Sequence, residues 1–400
     1  MYEKVPTKDG ELKHPSIKVF ACLTGVMVVC GVAFVVLFVA CLVTMATVPG
    51  NLTRHRVSVD GMDGVRRAVN PGLDAIAKQE RREKACILVL ARNEDLRALI
   101  DTLRQFEDRF NKRFQYPYVF LNDKPFTPDF EYSIRQILPS GRGKRFARIP
   151  SADWDMPAHI DPARTTESRH RLKHIVHGGS LSYRKMCRWF SGRFMHHQAV
   201  KEYEWFWRIE PGVSFPCDIE HDPFVELKKA GKVIGFSILM GEIMETIPSL
   251  FGQVLEFKRQ KNIKPSKLFD YFVYEHAANK TLAYNGCHIW NNFEIGRFDF
   301  FRSTEYQEFF DHLDKAGGFF YERWGDAPVI SLAAGLFLRP DQLMQFENIG
   351  YKHDDSSFCP SDPVLRRRLL CTCDPYDHGD TTMSQCMSLW RRLASTAYDA

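Results

Sequence analysis

The 400-residue chain has no long run of like charge: 54 Lys and Arg stand against 49 Asp and Glu, a formal net charge of +5. That balance offers no basic face for a nucleic-acid backbone, and no nucleic-acid partner is expected. Neither a GxGxxG fingerprint nor a Walker sequence follows the first predicted strand, which weighs against a dinucleotide oxidoreductase and a P-loop kinase. Cys371-Thr372-Cys373 lacks the two-residue spacer of a zinc knuckle or a thioredoxin motif, so it is not read as a metal site. There is no internal repeat. What the chain does have is 44% hydrophobic and 13% aromatic residues, enough to build a globular core.

One uncharged stretch stands out. Val19 to Val48 runs 30 residues without a charged side chain, longer than a bilayer core requires and longer than a signal-peptide apolar region. It is read as a transmembrane signal anchor. Lys4, Lys8, Lys13 and Lys18 precede it while Arg54 and Arg56 follow, so charge alone orients it weakly. Asn51-Leu52-Thr53 and Asn279-Lys280-Thr281 are glycosylation acceptor patterns, which have meaning only if the C-terminal part faces the secretory lumen. Eight cysteines lie outside the span, enough for up to four disulfides in an oxidising lumen, with buried free thiols as the alternative. The expected organisation is a cytosolic tail (1–18), an anchor (19–48), a polar lumenal stem (49–82) and a lumenal catalytic domain (83–400).

That domain opens with an α/β pattern. Ala85 to Ala91 is an apolar run of strand length closed by Arg92-Asn93-Glu94-Asp95. Leu96, Leu99, Leu103, Phe106 and Phe110 then recur at helical spacing, and Tyr116 to Leu121 reads as a second strand ending at Asn122-Asp123. A strand, helix, strand unit implies parallel pairing, with ligands beyond the carboxyl ends of the strands. Arg92 and Asp123 are thereby placed as candidate donor-binding residues, although either also reads as an ordinary solvated loop residue.

Trp205-Phe206-Trp207-Arg208-Ile209 is β-prone, and Pro211-Gly212 ends it sharply, so Glu210 projects from the end of a buried strand. That suits a metal ligand; a rim carboxylate paired with Arg208 is the competing reading. Asp153-Trp154-Asp155 has the spacing of an Asp-x-Asp metal pair but follows no convincing strand, and is set aside. Asp326-Ala327-Pro328 precedes an apolar helix and reads first as helix-cap chemistry, with help in holding an anion as the alternative.

The run His177 to Gly192 (HGGSLSYRKMCRWFSG), then Arg208-Ile209-Glu210-Pro211-Gly212, Tyr284 to Ile295 (YNGCHIWNNFEI) and Gly317 to Pro328 (GGFFYERWGDAP) resemble the fungal α-1,2-mannosyltransferases of glycosyltransferase family 15. Ala91-Arg92-Asn93 and Phe120 to Phe126 match that family's amino-terminal blocks, and the resemblance runs in order from about Cys86 to Cys373. It implies a GT-A type nucleotide-diphospho-sugar transferase fold in a Golgi type II membrane protein. It also implies GDP-mannose as donor, Mn²⁺ as cofactor, and retaining transfer of mannose to a mannosylated glycoprotein, as in cell-wall mannoprotein synthesis.

Residue by residue, Glu210 and His353 match the family's metal ligands, and one carboxylate with one imidazole suits Mn²⁺ better than Ca²⁺. Glu294 matches the proposed catalytic carboxylate, as a nucleophile that forms a covalent intermediate or as a stabiliser of an oxocarbenium-like transition state. Tyr183 matches a tyrosine near the donor. Without the resemblance, His353 is an ordinary loop histidine, Glu294 a strand-end acid paired with Arg297, and Tyr183 a packed aromatic at a helix start. Two other functions fit parts of the pattern: a catalytically inactive mannan-binding or scaffold protein, and a glycoside hydrolase built on paired carboxylates.

Overall fold

A computed structural model describes residues 82–278, 280–376 and 381–397. The anchor 19–48, the tail, nearly all of the stem and both glycosylation acceptors, Asn51 and Asn279, lie outside the described residues. Among the described residues, no helix is long and apolar enough to cross a membrane.

The strands are β1 (Ala85–Leu90), β2 (Tyr118–Asn122), β3 (Lys144–Arg148), β4 (Trp205–Ile209), β5 (Ile234–Phe236), β6 (Leu239–Gly241), β7 (Val273–Glu275), β8 (Leu282–Tyr284), β9 (Cys287–Ile289), β10 (Glu294–Arg297), β11 (Leu343–Gln345), β12 (Tyr351–His353) and β13 (Ser356–Phe358). Seven of them form one sheet in the order β11-β5-β10-β4-β1-β2-β3. β3, β2, β1 and β4 run parallel, β10 is antiparallel to both β4 and β5, and β5 pairs with β11 in parallel. The expected parallel unit is present, and its second strand begins at Tyr118. Tyr116 lies before it, buried, with its hydroxyl donating to Asp222 at 2.5 Å.

Helix Leu96–Phe106 forms where the apolar spacing places it, burying Leu99, Leu103 and Phe106. A wider turn, Glu107–Asn111, continues it and buries Phe110. Within β4 the period of two sorts the side chains: Trp205, Trp207 and Ile209 on one face, Phe206, Arg208 and then Glu210 on the other. Trp207 packs edge-on against Phe106 at 5.0 Å and also touches Phe110, Phe224 and Phe293. Truncating such a side chain in a packed core costs about 3–5 kcal/mol. The opposite face receives helix Leu181–Gly192, whose Phe190 ring lies 3.6 Å below the Arg208 guanidinium.

Three disulfides join described cysteines: Cys217–Cys371, Cys287–Cys386 and Cys359–Cys373. Cys86 and Cys187 are buried free thiols, so the expected upper count of four is not reached. Cys86 sits inside β1 and Cys187 inside helix Leu181–Gly192, where neither meets a partner sulfur. The one cluster of metal-type side chains among the described residues, Cys217, Cys359 and Cys373, consists of disulfide sulfurs.

Candidate active site

The carboxyl ends of β1, β2 and β4 open on a cavity of about 390 Å³. Its wall includes Arg92, Asp123, Tyr183, Glu210 and His353, so five residues picked from separate parts of the sequence meet at one place. Arg92 follows β1 and is held by Asp95, its Nη2 donating to Oδ1 at 2.8 Å and its Nε to Oδ2 at 3.1 Å. Asp123 follows β2, and Glu210 follows β4. The left-handed backbone at Gly212, φ +92°, turns the chain away just beyond Glu210.

Tyr183 stands in the first turn of helix Leu181–Gly192, whose cap is Ser180: its Oγ accepts from the Tyr183 N–H at 3.1 Å. The Tyr183 ring stacks on His177 with centroids 4.5 Å apart, and its hydroxyl accepts from Arg323 Nη1 at 3.2 Å. His353 ends β12, in a hairpin with β13. The Glu210 and His353 segments are stitched together by paired backbone hydrogen bonds between Ser214 and Lys352, 2.8 and 2.9 Å.

Arg208 is the charged residue of an otherwise apolar buried strand, 3% exposed. Its guanidinium meets two carboxylates, Glu210 through Nη2 and Asp326 through Nη1 at 2.5 Å. Burial pulls its pKa down; Glu210 and Asp326 more than reverse that, and the side chain is held firmly cationic. Glu210 is therefore both an Arg208 partner and a wall residue of the cavity, and the two readings of it are not exclusive.

Asp326 differs from its expected role as a cap. Gly325 occupies the cap position of helix Asp326–Phe337, and the Asp326 carboxylate instead accepts from Arg208 and from Asn291 Nδ2 at 2.7 Å. The local Asp-Ala-Pro pattern is outcompeted by a buried cation that arrives from a distant strand.

Glu294 is not part of the cavity wall. It opens β10 opposite Arg208 in the β10–β4 register and is 1% exposed, with Oε1 lacking a hydrogen-bond partner. Burial pushes its carboxyl up to about 8; Arg208 pulls it down and Asp326 adds to the rise. Arg297, its expected partner, binds Asp299 instead at 2.6 Å. Of the set-aside Asp153-Trp154-Asp155 run, only Trp154 reaches the cavity, while Asp155 pairs with Lys185 at 2.7 Å.

The wall also contains residues that the sequence reading passed over, among them His177, Ser182 and Asp95. His177 adopts a left-handed backbone, φ +59°, which only the following Gly178-Gly179 hinted at. The Asn291-Asn292 pair, between β9 and β10, is a second omission; two adjacent amides just before Glu294 were the available signal.

For a divalent cation, Glu210 offers carboxylate oxygen and His353 offers imidazole nitrogen. The His353 Nδ1 lies 2.7 Å from the Asn292 side-chain nitrogen Nδ2, and Nε2 can serve as the ring's ligand atom only when the ring hydrogen sits on Nδ1 and the amide presents its oxygen there. A mixed oxygen and nitrogen set fits a transition-series ion such as Mn²⁺ better than Ca²⁺, and two protein ligands leave positions for phosphate oxygens and water.

Among solved structures, the chain is similar to core-mannan synthase A of Aspergillus fumigatus in its Mn/GDP form: TM-score 0.72, 34% identity, covering 79% of this chain and 86% of that one. The mannosyltransferase Ktr4p of Saccharomyces cerevisiae in complex with GDP gives a TM-score of 0.73 at 35% identity, covering 78% and 82%. The mixed α/β architecture, with its cavity at the strand ends, is thus a glycosyltransferase fold. In sequence, the probable mannosyltransferase MNT3 of Candida albicans is 42% identical over 294 residues, 74% of this chain and 76% of that protein. The family profile described as glycolipid 2-alpha-mannosyltransferase matches residues 50–395, and the chain belongs to that family.

Proposed function

We propose that the chain is a retaining α-1,2-mannosyltransferase that moves mannose from GDP-mannose to a mannose hydroxyl on a glycoprotein glycan, with Mn²⁺ as cofactor. The observation that carries this is the meeting of Arg92, Asp123, Tyr183, Glu210 and His353 on one cavity at the carboxyl ends of parallel strands. Glu210 and His353 would hold the cation, whose chemistry is to neutralise the diphosphate as it leaves. Arg92 and Asp123 sit where a nucleotide meets the strand ends of a GT-A type fold, and Tyr183 lines the same space from the facing helix.

Glu294 would act in its ionised form, which a cation held by Glu210 and His353 would favour, as nucleophile or as stabiliser of positive charge developing on the sugar. Its Oε1 is buried without a hydrogen-bond partner, an acceptor that the fold itself does not use. Arg208 and Asp326 act on Glu210 by holding its carboxylate in place.

The same reading places residues 1–18 in the cytosol, 19–48 in the Golgi membrane, 49–82 in a stem and 83–400 in the lumen as the catalytic domain. The uncharged run from Val19 to Val48 supports it, and so do the disulfides, which belong to an oxidising compartment.

The test is to incubate the full chain in detergent with GDP-mannose, Mn²⁺ and a panel of α-mannosides. A mannosylated acceptor and free GDP are expected in equal amounts. A folded protein that binds Mn²⁺ yet transfers to no acceptor is a scaffold; one that cleaves mannosides without needing GDP-mannose is a hydrolase.

A further inference from the structure

We propose that Asn292 is the positioning residue that fixes which ring nitrogen of His353 is free to bind a cation. This builds on the reading of His353 as a manganese ligand. An imidazole binds a metal through a nitrogen lone pair, and in the neutral ring the other nitrogen carries the hydrogen. The Asn292 side chain meets Nδ1 at 2.7 Å through its nitrogen, Nδ2. For Nε2 to present a lone pair, Nδ1 must carry the hydrogen and its partner must be an acceptor.

The required acceptor is present and unclaimed: Asn292 Oδ1 is buried without a hydrogen-bond partner, on a residue only 6% exposed. A half-turn of the amide exchanges Oδ1 and Nδ2 and puts the carbonyl on the Nδ1 hydrogen. The opposite arrangement, with the amide NH₂ donating to Nδ1, forces the hydrogen onto Nε2 and closes that atom to any cation. Trp290 adds a second restraint, its ring centroid 5.5 Å from that of His353.

The neighbouring amide serves the other candidate ligand. Asn291 donates to Asp326, Asp326 pairs with Arg208, and Arg208 pairs with Glu210. Two consecutive asparagines in the β9–β10 turn therefore support both ligands, Asn292 directly and Asn291 through two intermediaries.

The experiment uses the metal-free full chain in detergent, with ¹⁵N-labelled histidine rings read by NMR at a pH where histidine is neutral. His353 is assigned by its loss in His353→Gln. The expected signature is a hydrogen-bearing Nδ1 and a bare Nε2 in the wild type; the reverse tautomer overturns the proposal.

In parallel, Mn²⁺ affinity in the presence of GDP is read from the EPR signal of the free ion. Asn292→Leu, which removes the acceptor, should weaken binding by about 10–100-fold. Asn292→Asp, which can only accept, should keep the affinity within about threefold of wild type or tighten it. Equal losses in both variants, or none in Asn292→Leu, would sink the idea. Should Asn292→Leu fail to fold, the tautomer and the aspartate variant still decide it. Unchanged Mn²⁺ affinity in His353→Gln removes His353 from the metal site, and the tautomer then judges the role of Asn292 alone.

Discussion

Replacing Glu294 with glutamine should remove a pH dependence that the wild-type fold carries. Glu294 is 1% exposed, and its carboxyl is pushed by burial from 4.5 up to about 8 despite the nearby Arg208. In the unfolded chain the same carboxyl ionises near 4.5. Between these values the folded protein holds a proton that the unfolded chain has released, so stability falls as pH rises. The contribution of Glu294 is complete below about 4.5, declines through the window and levels off above about 8, where both states are ionised. At about 1.4 kcal/mol for each pH unit, the loss across the window is on the order of 5 kcal/mol. Glutamine has no proton to release, so its curve lacks this decline. The assay is the urea midpoint of metal-free wild type and Glu294→Gln at intervals from pH 5 to 9. Metal is withheld because a cation held by Glu210 and His353 would favour the ionised carboxylate. Parallel curves for the two proteins would show that Glu294 is not held protonated and would refute the reasoning.

Arg208→Met removes the cation from between Glu210 and the buried Asp326, and should cost about 3–5 kcal/mol by urea unfolding; an unchanged midpoint would mean that Asp326 does not depend on it. Glu210→Ala should abolish the Mn²⁺-dependent increment of GDP-mannose binding measured by calorimetry, and full retention of that increment would exclude Glu210 from the metal site. Replacing Cys217 and Cys371 together by serine should lower stability by about 2–5 kcal/mol, read from thermal melts, because the bridge closes a separation of 154 residues. No shift in melting would show that the backbone bonds from Asp218 N–H to Leu369 O and from Thr372 N–H to Pro216 O hold the two segments together without it.

The parts of the fold written in local pattern were legible. The helical spacing from Leu96 to Phe110 and the aromatic run Trp205 to Ile209 each produced the element expected, and the turn at Pro211-Gly212 left Glu210 at a strand end. What the sequence could not show depends on partners far along the chain. Nothing local to Glu294 marks β10 as the antiparallel strand inserted between β4 and β5. Asp326 looked like a cap because Arg208, which claims it, lies 118 residues away. The pairing of the cysteines follows from three-dimensional proximity, which spacing does not encode. Glu210 is a candidate ligand from its strand-end position alone, but its pairing with His353 rests on resemblance to a family, since the Ser214–Lys352 bridge that brings their segments together leaves no trace in composition or periodicity.

The central claim is that this cavity transfers mannose from GDP-mannose with retention, and NMR of the disaccharide product measures it most directly. The full chain, given GDP-mannose, Mn²⁺ and methyl α-mannoside, should yield an α-configured mannose on the 2-hydroxyl, with no product once the metal is chelated. A β-configured product, a linkage to another hydroxyl, or transfer indifferent to chelation would contradict the account.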